Sequence, residues 1–179
     1  VVVLSAVTAI GGGTMRDVIL QTPVFWVQNP VYLYVILATA VLTIIFIRSP
    51  KRIPKRFLLV SDAFGLALFA VLGTEKALSL GAAIPVAIVM GMMTGVAGGM
   101  LRDVLCNVIP MILRQEIYAT AAILGGALYT LLRYFSCPEH LAIITAILGA
   151  LTLRLAAIYW RVTLPAFDII EPEESKKDQ

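Results

Sequence analysis

The sequence has few of the side chains on which most enzymes depend. It contains one histidine, His140, and two cysteines, Cys106 and Cys137, which lie in separate segments. These counts argue against a zinc site, a Cys–His nucleophile and a Ser–His–Asp triad. We therefore expect no enzymatic activity, no cofactor and no bound metal beyond transient monovalent cations.

Charged side chains are also scarce, since they make up 14% of the 179 residues, against about 25% in soluble domains. Hydrophobic residues make up 60%. This chain has too little polar surface to cover a water-soluble globule, so we predict a membrane protein in contact with lipids. The net charge of +3 does not indicate a nucleic-acid partner, because the basic residues cluster beside apolar segments, where membrane topology accounts for them.

Six apolar segments approach the roughly 20 residues that a helix needs to cross a bilayer. Short connectors separate them, and these carry the proline and other turn residues that end helices. The pattern predicts an all-α, polytopic transmembrane helical bundle with spans at 1–20, 31–47, 57–80, 84–106, 117–135 and 140–160.

The connector at residues 48–56 carries five lysines and arginines and no acidic residue. By the positive-inside rule it faces the cytoplasm. Counting spans onward puts Arg154 and Arg161 at the inner end of the last span, which agrees. We therefore expect a multi-pass protein whose polar tail after Trp160 forms a cytoplasmic C terminus.

One motif occurs twice. The segment Gly12-Gly13-Thr14-Met15-Arg16-Asp17-Val18 recurs 86 residues later as Gly98-Gly99-Met100-Leu101-Arg102-Asp103-Val104, at a matching place in the hydropathy pattern. This match indicates an internal duplication. Each copy holds three spans, an odd number, so the second copy enters the membrane in the opposite orientation. Such inverted repeats are typical of transporters and channels.

The second repeat starts near Phe57, so its partner would start about one helix before Val1. We therefore expect a seven-helix protomer of three plus three plus one helices, with the first helix absent from the given chain. The expected units are 1–56 for the end of the first repeat and the basic linker, 57–136 for the second repeat, and 137–179 for the final helix and tail.

Adjacent glycines occur in mid-membrane, in the run Gly11-Gly12-Gly13 and the pair Gly98-Gly99. Glycine permits a helix to kink, and a kink frees carbonyl oxygens that suit a partly dehydrated cation. Irregular backbone at this depth is tolerated only where it is buried or lines water. For both groups we favour a break beside an ion pathway. For Gly91 and Gly95, which form a small-residue stripe, we favour close helix packing.

The pairs Arg16-Asp17 and Arg102-Asp103 place charges inside predicted spans, where a charge is costly unless it is paired or hydrated. Sequence neighbours point to different helix faces, so we expect no pairing within one motif. We predict that the arginine of each repeat lies near the aspartate of the other, as a structural charge latch beside the pore. The alternative is that all four side chains reach the membrane surfaces.

The span at 57–80 carries a further polar set. Asp62 and Lys76 lie at opposite ends of one helical stripe that also holds Gly65, Phe69 and Gly73. Asp62 could attract a cation at an inner vestibule, and Lys76 could act as an electrostatic gate at the other mouth. Alternatively, Lys76 reaches the outer headgroups.

These motifs resemble the bacterial TRIC (trimeric intracellular cation) channel family, formerly described as uncharacterised or putative glycine-transporter-type membrane proteins. The resemblance rests on the duplicated Gly-Gly-x-x-Arg-Asp-Val, on Glu116-Ile117-Tyr118-Ala119-Thr120 and on the pattern from Asp62 to Gly73, and it extends from Val1 to about Arg161. It implies a homotrimer in the bacterial inner membrane. Each protomer would hold its own pore, which conducts potassium and, less well, sodium between helices broken at the two glycine groups.

Two other functions remain open at this point. A secondary transporter for a small solute such as glycine would also suit an inverted repeat, with Arg16 or Arg102 holding a carboxylate. A structural scaffold would leave the intramembrane charges unexplained. We favour the channel because the chain is small and has no recognisable site for an organic substrate.

Overall fold

The computed structural model describes residues 2–46, 55–114 and 116–160, and these ranges contain only helices and their connections. Six long helices agree with the six predicted spans to within two residues at each end. Two single-turn helices were not predicted. The helices are α1 (Val2–Ile19), α2 (Phe25–Gln28), α3 (Val31–Phe46), α4 (Lys55–Ser79), α5 (Ile84–Leu105), α6 (Met111–Arg114), α7 (Glu116–Tyr134) and α8 (Glu139–Trp160). Most of the basic linker and all of the tail after Trp160 lie outside the described residues.

Four of the helices are long and apolar enough to cross a membrane, namely Val2–Ile19, Arg56–Ser79, Ile84–Leu105 and Glu139–Trp160. Helix α3 is apolar but shorter. Large apolar side chains are exposed on the outside of the bundle, among them Tyr34, Ile45 and Phe57. An apolar surface this extensive is suited to lipid tails and not to water, so the predicted membrane fold is confirmed.

Helix α4 lies at the centre of the bundle and packs against α5, α7 and α8. The residues that it buries completely are mostly alanines, which let the neighbouring backbones approach closely. These residues are Ala63, Ala67, Ala70, Val71, Thr74 and Ala77. The two polar ends of α4 reach two different parts of the bundle.

The duplication seen in the sequence is also present in the backbone. After α1, Gln21 adopts a positive φ of 53°, and after α5 the equivalent Asn107 has a φ of 54°. The amide of Thr22 then donates to the carbonyl of Asp17 at 2.9 Å, and the amide of Val108 donates to that of Asp103 at 2.9 Å. The single-turn helices α2 and α6 follow at matching positions.

The two equivalent helices α1 and α5 cross in opposite directions. Gly12 packs against the carbonyl oxygen of Thr94, and Gly98 packs against the carbonyl oxygen of Thr8. Moving forward along α1 from Thr8 to Gly12 therefore corresponds to moving backward along α5 from Gly98 to Thr94. The two contacts are equivalent, because Gly98 corresponds to Gly12 and Thr94 corresponds to Thr8 in the repeat. The predicted inverted repeat is confirmed.

The predicted breaks at the glycines are wrong. Helix α1 continues through Gly11-Gly12-Gly13, and α5 continues through Gly98-Gly99. The physical reason is that successive residues on a helix face different neighbours. A β-carbon at Gly11 would meet Leu101, and one at Gly13 would meet the ring of Phe25 at 2.6 Å. A run of glycines therefore makes room on several sides at once, without interrupting the helix.

The packing role predicted for the glycine stripe of α5 is confirmed. A β-carbon at Gly91 would collide with the carbonyl oxygen of Ala70, and one at Gly95 would lie 2.8 Å from the carbonyl oxygen of Leu66. Both contacts are with α4. Glycine is needed at these positions because backbone atoms cannot move aside as a flexible side chain can.

We expect Gly12→Ala and Gly98→Ala to destabilise the protein by about 1–3 kcal/mol each, because each new methyl group would meet a carbonyl oxygen of the opposing helix. The matched control is Gly65→Ala, since a β-carbon at Gly65 has nothing within 4 Å. The control should be neutral or slightly stabilising. The measurement is the thermal midpoint of the purified protein in detergent. Equal midpoints for all three variants would contradict the close crossing.

Candidate functional site

A first buried charge cluster lies where α1 ends. The carboxylate of Asp17 has no exposed surface. Its Oδ1 accepts hydrogen bonds from Nε of Arg16 at 2.8 Å and from Nζ of Lys76 at 2.8 Å. Its Oδ2 accepts one from the amide of Phe25 at 2.9 Å. Phe25 is the first residue of α2, whose leading amides have no partner within the helix. One carboxylate therefore connects α1, α2 and α4.

A second cluster lies at the end of α5 and repeats this arrangement. Nε of Arg102 donates to Oδ1 of Asp103 at 2.9 Å, and the amide of Met111, the first residue of α6, donates to Oδ2 at 3.0 Å. In addition, NH1 of Arg102 donates to Oδ1 of Asp62 on α4 at 3.0 Å. We call Arg16, Asp17 and Phe25 the first Arg–Asp clasp, and Arg102, Asp103 and Met111 the second.

Two expectations about these charges are wrong. Arginine and aspartate of the same motif do pair, because the long arginine side chain can curl around the last turn of its helix and place its fork on the neighbouring carboxylate. The aspartates of the two repeats therefore do not exchange their arginines. All four side chains are largely buried within the bundle: Arg16 and Asp103 are each 8% exposed, the Arg102 side chain is 13% exposed and Asp17 is fully buried. The reciprocal contact between the two repeats is made by the glycines instead, where Gly12 meets Thr94 and Gly98 meets Thr8.

Helix α4 contacts both clasps through residues of opposite charge. Lys76 pairs with Asp17 in the first clasp, and Asp62 pairs with Arg102 in the second. On one helix these two residues lie roughly 21 Å apart along the axis. They reach different clasps because α1 and α5 end on opposite sides of the bundle. Lys76 thus has a buried partner, which does not agree with its being a simple headgroup anchor.

The residues of the stripe predicted on α4 do not all face the same neighbours. Gly73 faces α5, where a β-carbon would lie 2.8 Å from the Thr94 hydroxyl. Gly65, in contrast, faces open space. The structure therefore brings Asp62, Gly73 and Lys76 to the α1 and α5 side, and the sequence alone could not separate them from Gly65.

Sequence reasoning missed two residues beside the second clasp. Arg154 was expected at the inner end of the last span, and the structure adds that it is 1% exposed inside the bundle. Its guanidinium lies over the ring of Tyr118, 4.8 Å from the centroid. The hydroxyl of Tyr118 faces the Asp62 carboxylate. The available signal was the position of Arg154 within an apolar span, where a charge should be treated as functional by default.

Over the described ranges, no group of three or more histidine, cysteine, aspartate or glutamate side chains is arranged to hold a metal ion. The carboxylates of both clasps are instead occupied by arginine, lysine and backbone amides.

This geometry can be compared with known proteins. A family model described as "Glycine transporter" matches residues 1–48 and 59–134. The UPF0126 inner membrane protein YadS of Escherichia coli K12 is 49% identical over 173 residues, which are 96% of this chain and 84% of YadS. The TRIC trimeric intracellular cation channel orthologue from Rhodobacter sphaeroides has the same fold, with a TM-score of 0.84 and 48% identity over 90% of this chain and 83% of that one. This chain belongs to the TRIC-type family.

A further solved structure supports the membership of this TRIC-type chain. It is a prokaryotic TRIC channel in 0.5 M KCl, with a TM-score of 0.82 and 33% identity over 91% of this chain and 83% of that one. The resemblance inferred from the duplicated motif is thereby confirmed. The description "Glycine transporter" is the name of the family model and does not by itself assign glycine as a substrate.

We expect Asp17→Asn to destabilise this TRIC-type chain more than Asp103→Asn does. Loss of the Asp17 charge leaves Arg16 and Lys76 close together without a carboxylate between them, whereas Arg102 keeps Asp62 when Asp103 is neutralised. Breaking a buried pair on one side costs about 3–5 kcal/mol. Thermal midpoints in detergent measure the difference.

A double variant serves as the control for this prediction. Adding Lys76→Met to Asp17→Asn removes one of the two uncompensated cations, so part of the lost stability should return. If Asp17→Asn and Asp103→Asn have the same midpoint, and Lys76→Met restores nothing, Asp17 does not hold the first cluster together.

Proposed function

We propose that this chain is a monovalent cation channel of the inner membrane, permeable to potassium and less so to sodium, that works as a homotrimer with a pore in each protomer. The observation that carries the proposal is the connection of α4 to both Arg–Asp clasps by charges of opposite sign, within a fold shared with TRIC cation channels. Charged side chains inside a membrane bundle are rare because they are costly to bury, and where they occur they commonly mark an ion pathway.

The proposed pathway runs between α1, α4 and α5. Its residues are Gly11, Gly12, Gly13, Gly98, Gly99, Asp62 and Lys76, with the clasp residues beside it. We place the glycines beside the pathway because they let α1 and α5 approach closely, with Gly12 and Gly98 each against a carbonyl oxygen of the opposing helix. This role replaces the broken helices expected from the sequence.

Two threonines support a polar path at the same depth. The hydroxyl of Thr8 donates to the carbonyl of Leu4 at 2.7 Å, and that of Thr94 donates to the carbonyl of Met90 at 2.6 Å. With its proton used in this way, each hydroxyl oxygen keeps its lone pairs free to face a cation. The two threonines are equivalent in the repeats, so a cation would meet the same group from either side.

Lys76 is the proposed gate. It lies beside Arg16 and shares a single carboxylate with it, so the first cluster has an excess of positive charge among these three side chains. An excess positive charge at a mouth opposes the entry of cations. Movement of the flexible, 29% exposed lysine side chain away from Asp17 would change that barrier without moving a helix.

The alternative is a secondary transporter for a small solute such as glycine, which the inverted repeat would also permit. Such a site needs a cation that can receive the substrate carboxylate. Arg16 and Arg102 are the natural candidates, but both are already bound by carboxylates of their own motif. A substrate would have to displace a buried ion pair, so the geometry favours the channel.

We further propose that the C terminus is cytoplasmic, with the basic linker on the same side. Under this orientation Asp62 lies toward the inner mouth and Lys76 toward the outer one. The support is the lysine and arginine content of the linker, together with the description of YadS as an inner membrane protein.

Reconstitution into planar bilayers between unequal KCl concentrations tests the channel. We expect discrete openings whose reversal potential lies near the potassium equilibrium value. A reversal potential near the chloride value would contradict cation selectivity. Saturable glycine uptake into vesicles, without unitary currents, would favour the transporter.

We expect Lys76→Ala to change open probability or current rectification, because it removes the proposed gate while Arg16 continues to neutralise Asp17. The matched control is Arg133→Ala, which removes an exposed arginine whose guanidinium donates to the carbonyl of Cys137. Single-channel recordings at positive and negative voltage measure both variants. If Lys76→Ala and the parent give the same records, Lys76 is not the gate.

A further inference from the structure

Arg154 belongs to neither repeat. It lies on α8, the helix that follows the two three-helix units, and only 1% of its surface is exposed. A long charged side chain placed this deeply in an apolar bundle is costly unless other groups compensate it. Its position over the ring of Tyr118 supplies one such group, since the face of an aromatic ring attracts a guanidinium.

Tyr118 connects Arg154 to the second Arg–Asp clasp. Its hydroxyl lies near the Asp62 carboxylate, and a β-carbon built on Gly99 would be 2.8 Å from the hydroxyl and 3.2 Å from Oδ1 of Asp62. The same Oδ1 accepts the hydrogen bond from Arg102. Contacts therefore run from α8 through α7 and α4 to α5. The absence of a side chain at Gly99 lets the two oxygens approach the same point.

The equivalent position in the first repeat has no such arrangement. Tyr32 corresponds to Tyr118, but it is 49% exposed and its ring packs edge-to-face on Phe25 at 5.0 Å. Tyr118 is 2% exposed and directly follows Ile117, where α7 leaves helical backbone angles (φ −75°, ψ 15°). The kink and the burial set Tyr118 apart from its counterpart, although both residues open an apolar helix.

Arg154 adds a second positive charge to the surroundings of Asp62, beside that of Arg102. The remaining oxygen of Asp62, Oδ2, is buried and has no hydrogen-bond donor in the described part of the chain. Because only one of its two oxygens accepts a hydrogen bond, the position of the Asp62 carboxylate depends on the charges around it. The same charges set the electrostatic potential that it produces.

We propose that Arg154 is a positioning residue for the ion pathway: through the Tyr118 ring it holds the Asp62 carboxylate against Arg102 and sets the charge that a cation meets at that end of α4. This inference rests on the proposed channel function. A helix outside the repeats thereby adds to the difference that Lys76 and Asp62 of α4 already make between the two ends of the pathway.

The test compares Arg154→Met with Arg154→Lys in single-channel recordings of the full chain in symmetric KCl. Methionine fills a similar volume without a charge, whereas lysine retains a cation that can lie over the ring. We expect Arg154→Met to change the ratio of currents at equal positive and negative voltage by about twofold or more, because the end near Asp62 gains one negative charge. Arg154→Lys should restore the parent ratio.

Tyr118→Phe tests the connection without removing the arginine. It keeps the ring under Arg154 and removes only the hydroxyl that faces Asp62, so it should shift the current ratio in the same direction as Arg154→Met. Its matched control is Tyr32→Phe at the equivalent position, which should leave the ratio unchanged. This pair also avoids the large loss of stability that a buried arginine variant could suffer.

The outcomes separate this inference from the channel itself. Parent-like current ratios in both Arg154→Met and Tyr118→Phe would show that Arg154 stabilises the bundle only, and would overturn the proposal even if thermal stability falls. An equal shift in Tyr32→Phe and Tyr118→Phe would also overturn it. A parent protein that gives no cation current would instead contradict the proposed function.

Discussion

A carboxylate that has lost all contact with water must be surrounded by donors, and the bundle is organised around one such group. Asp17 has no exposed surface, yet it accepts hydrogen bonds from an arginine, a lysine and a main-chain amide. These donors come from three helices. The position of α4 against α1, and the turn of the chain into α2, are therefore fixed by a single side chain that would be too costly to bury otherwise.

The second repeat builds the same clasp, and the comparison shows where symmetry ends. Turn geometry, carboxylate and capped amide agree closely in the two copies. The additional partners do not, since the first clasp takes a lysine and the second takes an aspartate, both from α4. Duplication thus accounts for the two clasps, and the central helix α4 accounts for the difference between them.

Much of the fold could be predicted from the sequence, because hydropathy and the repeated motif report directly on burial and duplication. The six long helices and their inverted arrangement follow from these two signals. The single-turn helices could not be predicted, because four residues carry no periodicity and α2 and α6 depend on a carboxylate eight residues earlier in the chain. The glycines were wrongly predicted to break the helices because packing against a single neighbour would not need several adjacent glycines. In the structure each glycine of the run packs against a different neighbour.

The partners of the charged residues were the least predictable part of the site. A sequence shows that Arg16 and Asp17 are adjacent but not that an arginine can bend back onto its neighbour. Likewise, Lys76 and Asp62 are recognisable as intramembrane charges, but their partners lie far away in the chain. Arg154 was placed only at the inner end of the last span, because hydropathy cannot distinguish a buried side chain from one that reaches the headgroups.

The opposite signs of Asp62 and Lys76 also limit how this protein could respond to a transmembrane potential. If α4 slid along the membrane normal as a rigid rod, these two charges would move by equal distances, and the electrical work done on one would cancel that done on the other. A potential of 100 mV acts on a single transferred charge with about 2.3 kcal/mol. This pair can draw on that energy only if its two charges move by different distances, as they would if the lysine side chain moved while the helix stayed in place.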